Sequence, residues 1–268
     1  MASEVEIEDV TKVEAALEAL TAGKLQQGER LLQEVIANTP ETYENEEADG
    51  EGVAIKFWSM NEFMQYVSWM QDHGTERAVK WIGNAYPRAY YYLGFLCVKQ
   101  QQYAQAVEYL DKGRSLEPEN PKFLFEKAQA LIHLGNKEGA LALYDQVVET
   151  GPHVSQAELA MARRGRGFVL IEMGKLDDAE TAFHASLELD PESEIALSEL
   201  KYIAHLRQGG PMVEDFESVE TTGPDLSSCA ICGKDYEQGV MITVEGRPLT
   251  ICKRCERRLT KKWWQFWK

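Results

Sequence analysis

Apolar residues recur every three or four positions through most of the first 206 residues, in short blocks that end at glycine or proline. That period marks helices with one buried stripe. The last such block, ESEIALSELKYIAHLRQ, sets Ile195, Leu197, Leu200, Ile203 and Leu206 on one stripe and predicts a terminal helix that covers the end of a stack. Two stretches carry no period. Residues 41–55, centred on ETYENEEADGEG, read as an acidic loop, and 207–228, with Gly, Pro, Ser, Thr and acidic residues, as an acidic linker. Beyond the linker VMITV and PLTI flank Glu245-Gly246-Arg247, which predicts a strand, a turn and a second strand.

The helical part repeats itself. Residues 87–118, 121–152 and 160–191 align on their closing prolines, Pro118, Pro152 and Pro191, the first two 34 residues apart. Gly94, Ala128 and Gly167 are small where a first helix must approach its partner closely. Ala106, Ala140 and Ala179 are small on the second helix, and Leu110, Tyr144 and Phe183 fill the space between neighbouring pairs. Gly135 and Gly174 end first helices, where a left-handed residue is needed. A five-residue excess over the period falls in 153–159 and reads as a longer loop. A weaker copy, 9–40, keeps Gly23, Leu32 and Pro40 in register with Gly28 at the small position, and 56–86 reads as a degenerate helical pair around Asp72-His73-Gly74.

The small, small, bulky and proline positions resemble the tetratricopeptide repeat. The resemblance implies a mostly α fold, an α-solenoid of paired helices. Its parts would be a degenerate pair (1–40), the acidic loop (41–55), a second degenerate pair (56–86), three repeats with a capping helix (87–206), the linker (207–228) and a terminal finger (229–268). It also implies a concave face, lined by first helices, that binds a partner peptide or helix. The family's groove positions carry over to Arg88, Tyr91, Tyr92 and Phe95 in the first matched repeat, Phe125, Glu126 and Gln129 in the second, and Arg164 and Phe168 in the third. Aromatic residues at this spacing also pack helix on helix, so both readings stand for each. The family's best-known groove clamps a terminal carboxylate with Lys and Asn. Here Tyr91 and Phe95 occupy clamp positions of the first repeat and Glu126 the Asn position of the second, so a clamp of that kind is not supported.

Charge divides the chain. The total is −16, but residues 225–268 hold nine basic and five acidic residues, or +4, which leaves −20 for the rest. An acidic body disfavours non-specific nucleic-acid binding there and leaves it open for the tail. No apolar run approaches the ~18 residues of a membrane span, and MASEVEIEDV lacks an apolar signal core, so a cytoplasmic location is expected.

Four of the five cysteines, Cys229, Cys232, Cys252 and Cys255, form C-x2-C-x19-C-x2-C. Two such pairs suit one structural zinc ion held tetrahedrally by four thiolates, with no open position for a catalytic water. A redox dithiol pair and an iron–sulfur cluster are the other readings. Cys229, Cys232, Gly233, Lys234, Ile251, Cys252 and Cys255 resemble the zinc-binding domain of the ClpX unfoldase. That resemblance implies a treble-clef finger, a hairpin followed by a helix, which dimerises or docks partners; nothing here resembles the ATPase motor. Cys97 reads as a small buried hydrophobe.

The end of the chain concentrates Arg257, Arg258, Lys261, Lys262, Trp263, Trp264, Phe266 and Trp267. This stretch reads as cover for the finger or the repeats, as a docking peptide, as a membrane-surface contact, or as a nucleic-acid contact through base stacking. Gly-rich phosphate loops, HExxH and GxSxG are missing from the sequence, and the five histidines are scattered. The expectation is a non-enzymatic protein–protein adaptor, with a nucleic-acid-associated regulator as the alternative.

Overall fold

A computed structural model of the chain describes residues 4–50, 52–74, 77–149 and 154–209, and the backbone of strands at 219–220, 239–244 and 247–252. The chain divides into two compact units, residues 1–158 and 159–268.

The first unit is built on three helical hairpins: α1 (Glu4–Thr21) with α2 (Leu25–Ile36), α4 (Tyr86–Lys99) with α5 (Tyr103–Leu116), and α6 (Pro121–His133) with α7 (Lys137–Glu149). Small residues set their spacing. A Cβ on Gly94 would stand 2.6 Å from Leu110 Cγ, so the small residue lets α4 approach α5 as expected, and Leu110, expected between neighbouring pairs, meets the first helix of its own pair. A Cβ on Gly113 would stand 2.3 Å from Phe123 Cε1, so α5 and α6 meet at a distance that a side chain would forbid. The turn between α6 and α7 needs a left-handed residue, and Gly135 takes it at φ +78°. In the equivalent turn after α4 a non-glycine, Gln101, adopts φ +63°, and Gln102 N–H donates to Cys97 O at 2.8 Å to close it.

Between α2 and α4 the structure departs from the sequence reading. Residues 46–83 form β1 (Glu46–Asp49), β2 (Gly52–Phe57), α3 (Met60–Asp72) and β3 (Val79–Gly83). The expected acidic loop at 41–55 therefore contains a strand and most of a second, and the expected helical pair at 56–86 is one helix between two strands. β1 pairs antiparallel and β3 parallel with β2, so the sheet runs β1-β2-β3 with α3 as the crossover. The cause lies in burial. Val53 to Phe57 are all buried, so β2 shows no alternation, as expected of a strand covered on both faces. Phe57 packs on Phe63 and Tyr66 of α3, each at 5.5 Å between ring centres, while Lys56 pairs with Glu6 of α1 at 2.8 Å. Since α2 packs directly on α4, the segment is an insertion between stacked hairpins and not a repeat.

The second unit holds α8 (Gln156–Glu172), α9 (Leu176–Leu189) and α10 (Glu194–Arg207). A Cβ on Gly167 would come 2.7 Å from Phe183, so this small residue too stands at a close helix approach, with Phe183 on the first helix of its own pair. The terminal helix is rotated from the expected stripe: Ala196, Glu199, Tyr202 and Ile203 are buried, while Leu197 is 43% exposed. Arg207 at its end bonds Asp177 and Glu180 of α9 at 2.5 and 2.8 Å, a tie that helps set that rotation. A second sheet, β4 (Val219–Glu220), β5 (Gly239–Val244) and β6 (Arg247–Cys252), is antiparallel throughout, and β5 and β6 are the hairpin expected from VMITV and PLTI. β4 lies in the stretch read as linker; two extended residues suffice to pair an edge, and they leave no period to read.

Candidate partner-binding face

The first helix of each matched pair presents the residues singled out for binding, and the structure gives them different tasks. Arg88 is 6% exposed, and its guanidinium bonds Glu14 of α1 at 2.7 Å. Phe125 is buried with its ring 6.4 Å from that of Tyr144, and Gln129 donates to the Tyr144 hydroxyl at 2.9 Å. These three hold helices together. In the second unit Arg164 bonds Asp190 at 3.0 Å and Ser186 at 3.3 Å, and Phe168 packs edge-on to Phe183 at 5.3 Å. Burial lowers the Arg164 pKa against the pull of Asp190.

Tyr91, Tyr92 and Phe95 on α4 remain half-buried and stand together. Tyr91 meets Tyr92 edge-to-face at 5.2 Å and stacks with Phe95 at 6.5 Å, and the Lys99 ammonium sits 4.7 Å from the Phe95 ring centre. α6 closes the group with Glu126, which is 5% exposed. The Tyr91 hydroxyl donates to Glu126 Oε1 at 3.4 Å, while Oε2 is buried with no hydrogen-bond partner among the described residues. Burial pushes the Glu126 carboxyl up to about 7, opposed by Lys99 and by the Tyr91 hydrogen bond. Burial and the nearby Glu126 also raise the Tyr91 phenol.

Sequence reasoning missed the residues that the insertion contributes to this face. Trp58, just before α3, packs edge-on to Tyr91 at 5.2 Å and to Phe123 at 5.7 Å. Its indole N–H donates to Glu117 at 2.9 Å, and Glu117 also accepts from Asn84 and, at 2.8 Å, from Asn120. Burial raises the Glu117 pKa, and these three donors oppose that shift. Lys122 bonds Glu62 and lies 5.2 Å from the Trp58 ring centre. Ser59 caps α3 by accepting from Glu62 N–H, and Glu62 accepts from Trp58 N–H at 2.8 Å. Ser followed three residues later by Glu is a helix-start signature, and it is a sequence signal that would have placed Trp58 outside the helix.

Residues 85–164 match the family model described as tetratricopeptide repeat. Over α4–α7 the chain is thus similar to the tetratricopeptide repeat. No curated protein matches the chain. Among similar solved structures, the first tetratricopeptide domain of Spaghetti (RPAP3), bound to the HSP90 peptide SRMEEVD, is 24% identical; it covers 46% of this chain and 93% of that one with a TM-score of 0.41. MamA from Desulfovibrio magneticus RS-1 is 16% identical over 78% of this chain and 88% of that one, with a TM-score of 0.49. The Sgt2 domain from Aspergillus fumigatus is 17% identical over 51% and 91%, with a TM-score of 0.42.

Of the expected zinc ligands, Cys229, Cys232 and Cys255 lie outside the described residues, as do the tail residues Arg257, Arg258, Lys261, Lys262, Trp263, Trp264, Phe266 and Trp267. Cys252 is described by its backbone at the end of β6, opposite Gly239 at the start of β5. That register returns the chain, at Cys252, to the end of the hairpin nearest in sequence to Cys232. Cysteines in two C-x2-C pairs are a donor set of the kind that holds a zinc ion. No helix among the described residues is long and apolar enough to cross a membrane.

Proposed function

We propose that the protein is a cytoplasmic, non-enzymatic adaptor that binds a segment of a partner protein across α4 and α6. What carries the reading is one feature of the tetratricopeptide segment: Tyr91, Tyr92 and Phe95 stay half-buried together on α4, whereas the neighbouring groove positions are spent on helix packing. Aromatic side chains contribute large contact area at low entropic cost, which suits them to be anchors for a bound chain. The four-cysteine finger, a treble clef knit by one zinc ion, makes a second contact or a homodimer, and two tethered contacts gain avidity without either being strong.

The test places p-benzoylphenylalanine at Phe95 in the full chain, expressed in its native host, with the same photoprobe at exposed Leu25 as control. A discrete crosslinked protein at position 95 that is missing at position 25 supports the reading; no discrete product at 95 overturns it. A random oligonucleotide titrated into the full chain across a salt series separates the nucleic-acid alternative. Useful affinity that falls steeply with salt would favour that alternative over the adaptor.

A further inference from the structure

We infer that Glu126, with Tyr91 and Phe95, forms a subsite for a lysine or arginine side chain of the bound partner segment. The inference rests on the adaptor reading above and adds the chemistry of one partner residue to it.

Three observations converge on a cation. The first is the unmatched oxygen. Glu126 is 5% exposed, and its Oε2 has no partner among the described residues, although a buried carboxylate is costly unless its oxygens are matched. A ligand that donates to Oε2 removes that cost, and a charged donor recovers the most in a site of low dielectric. The second is the aromatic wall. Tyr91 and Phe95 stack at 6.5 Å, and their faces attract ammonium and guanidinium groups. The third is a precedent within the chain. The Lys99 ammonium already lies 4.7 Å from the Phe95 ring centre, so this wall accepts a cation in the free protein. The groups acting on Glu126 are Lys99 and Tyr91 on α4 and Tyr144 on α7; of these Lys99 is cationic, and it leaves Oε2 without a hydrogen bond.

The arrangement is opposite in sign to a site for a terminal carboxylate. A partner's carboxylate placed here would meet Glu126 as a like charge. Burial also means that the incoming side chain displaces part of what covers the carboxylate.

A random dodecapeptide display library panned in parallel on the full-length protein and on its Glu126→Gln variant tests the subsite. Expected from the native protein are peptides with Arg or Lys enriched at one fixed position, whose binding is lost with Phe95→Ala. Expected from Glu126→Gln are Phe95-dependent peptides without that enrichment. Re-synthesis of a selected peptide with Arg, Lys or citrulline at the fixed position decides which cation is preferred, and citrulline should bind at least tenfold more weakly. Phe95-dependent peptides with no basic preference, or the same preference in Glu126→Gln, overturn the subsite and leave the adaptor reading standing. Failure to select any Phe95-dependent peptide overturns both. As a second measurement, the Glu126 carboxyl carbon, followed by NMR, should titrate at lower pH once a selected basic peptide is bound. The affinity should then fall about tenfold per pH unit below the free-state value, as coupling to one proton requires. An unmoved carboxyl titration on saturation with that peptide also overturns the subsite.

Discussion

At the scale of single residues, the molecule keeps one buried carboxylate matched and another short of a partner. Glu117 accepts from Trp58, Asn84 and Asn120, so its burial is matched by donors. Replacing it with Ala strands those donors in a dry site, and we expect Glu117→Ala to cost ~3 kcal/mol, measured by equilibrium urea unfolding. Glu126 has one oxygen without a partner and a carboxyl pushed up from 4.5 to about 7 by burial. For an acid whose folded pKa is raised, the folded state binds more protons between the two values. Stability is therefore highest below the unfolded pKa and declines as pH rises from about 4.5 to about 7. Glu126→Gln removes that penalty. It should be more stable than the native chain by ~2–3 kcal/mol at pH 8, with the gain shrinking toward zero at pH 5. Urea unfolding at the two pH values reads this directly, and an equal gain at both would show that charge is not the cause. Residues that cost stability are expected where function needs them.

At the scale of elements, the hairpins were legible and the insertion was not. The small residues Gly94 and Gly167 follow from a spacing that repeats along the chain, and the structure sets each at a close helix approach; the residues that meet them, Leu110 and Phe183, were expected between pairs instead. β2 carries no such signal. A lysine sits among its buried residues because Glu6, far away in sequence, supplies a counter-charge at 2.8 Å, and a strand covered on both faces loses the alternation that marks one. The face on α4 was legible as a group of aromatic positions. Its division between packing and exposure was not, since Phe125 and Gln129 are committed to Tyr144, on the next helix. Trp58, between Tyr91 and Phe123, is one tie between the insertion and the repeats, beside the Glu62–Lys122 ion pair. Trp58→Ala should therefore cost ~2–3 kcal/mol. It should also speed amide exchange in β2 and α3 while leaving α7 unchanged. Uniform acceleration through all helices of the first unit would show that the insertion and the hairpins form one cooperative block.

At the scale of the whole molecule, the proposed zinc finger would give the two ends of the chain different sources of stability. The hairpins enclose apolar clusters of their own, with Val13, Leu32, Leu93, Leu110 and Phe123 almost fully buried. The stretch from Cys229 to the end is 40 residues long and holds nine Lys and Arg, a size at which a hydrophobic core alone is marginal. Four thiolates on one ion are the natural remedy, worth on the order of 10 kcal/mol in a structural zinc site. The purified chain should therefore carry one zinc per molecule by mass spectrometry under non-denaturing conditions. Cys232→Ser should lower zinc affinity by at least a hundredfold, because a three-thiolate site loses a full ligand. Chelation should leave the helical circular dichroism and the melting of the hairpins intact, since no cysteine of the C-x2-C pairs lies among them. Iron in place of zinc would replace the structural site with a redox one. Loss of helical signal on chelation would mean that the hairpins depend on the metal, and the division of labour between the two parts would have to be abandoned.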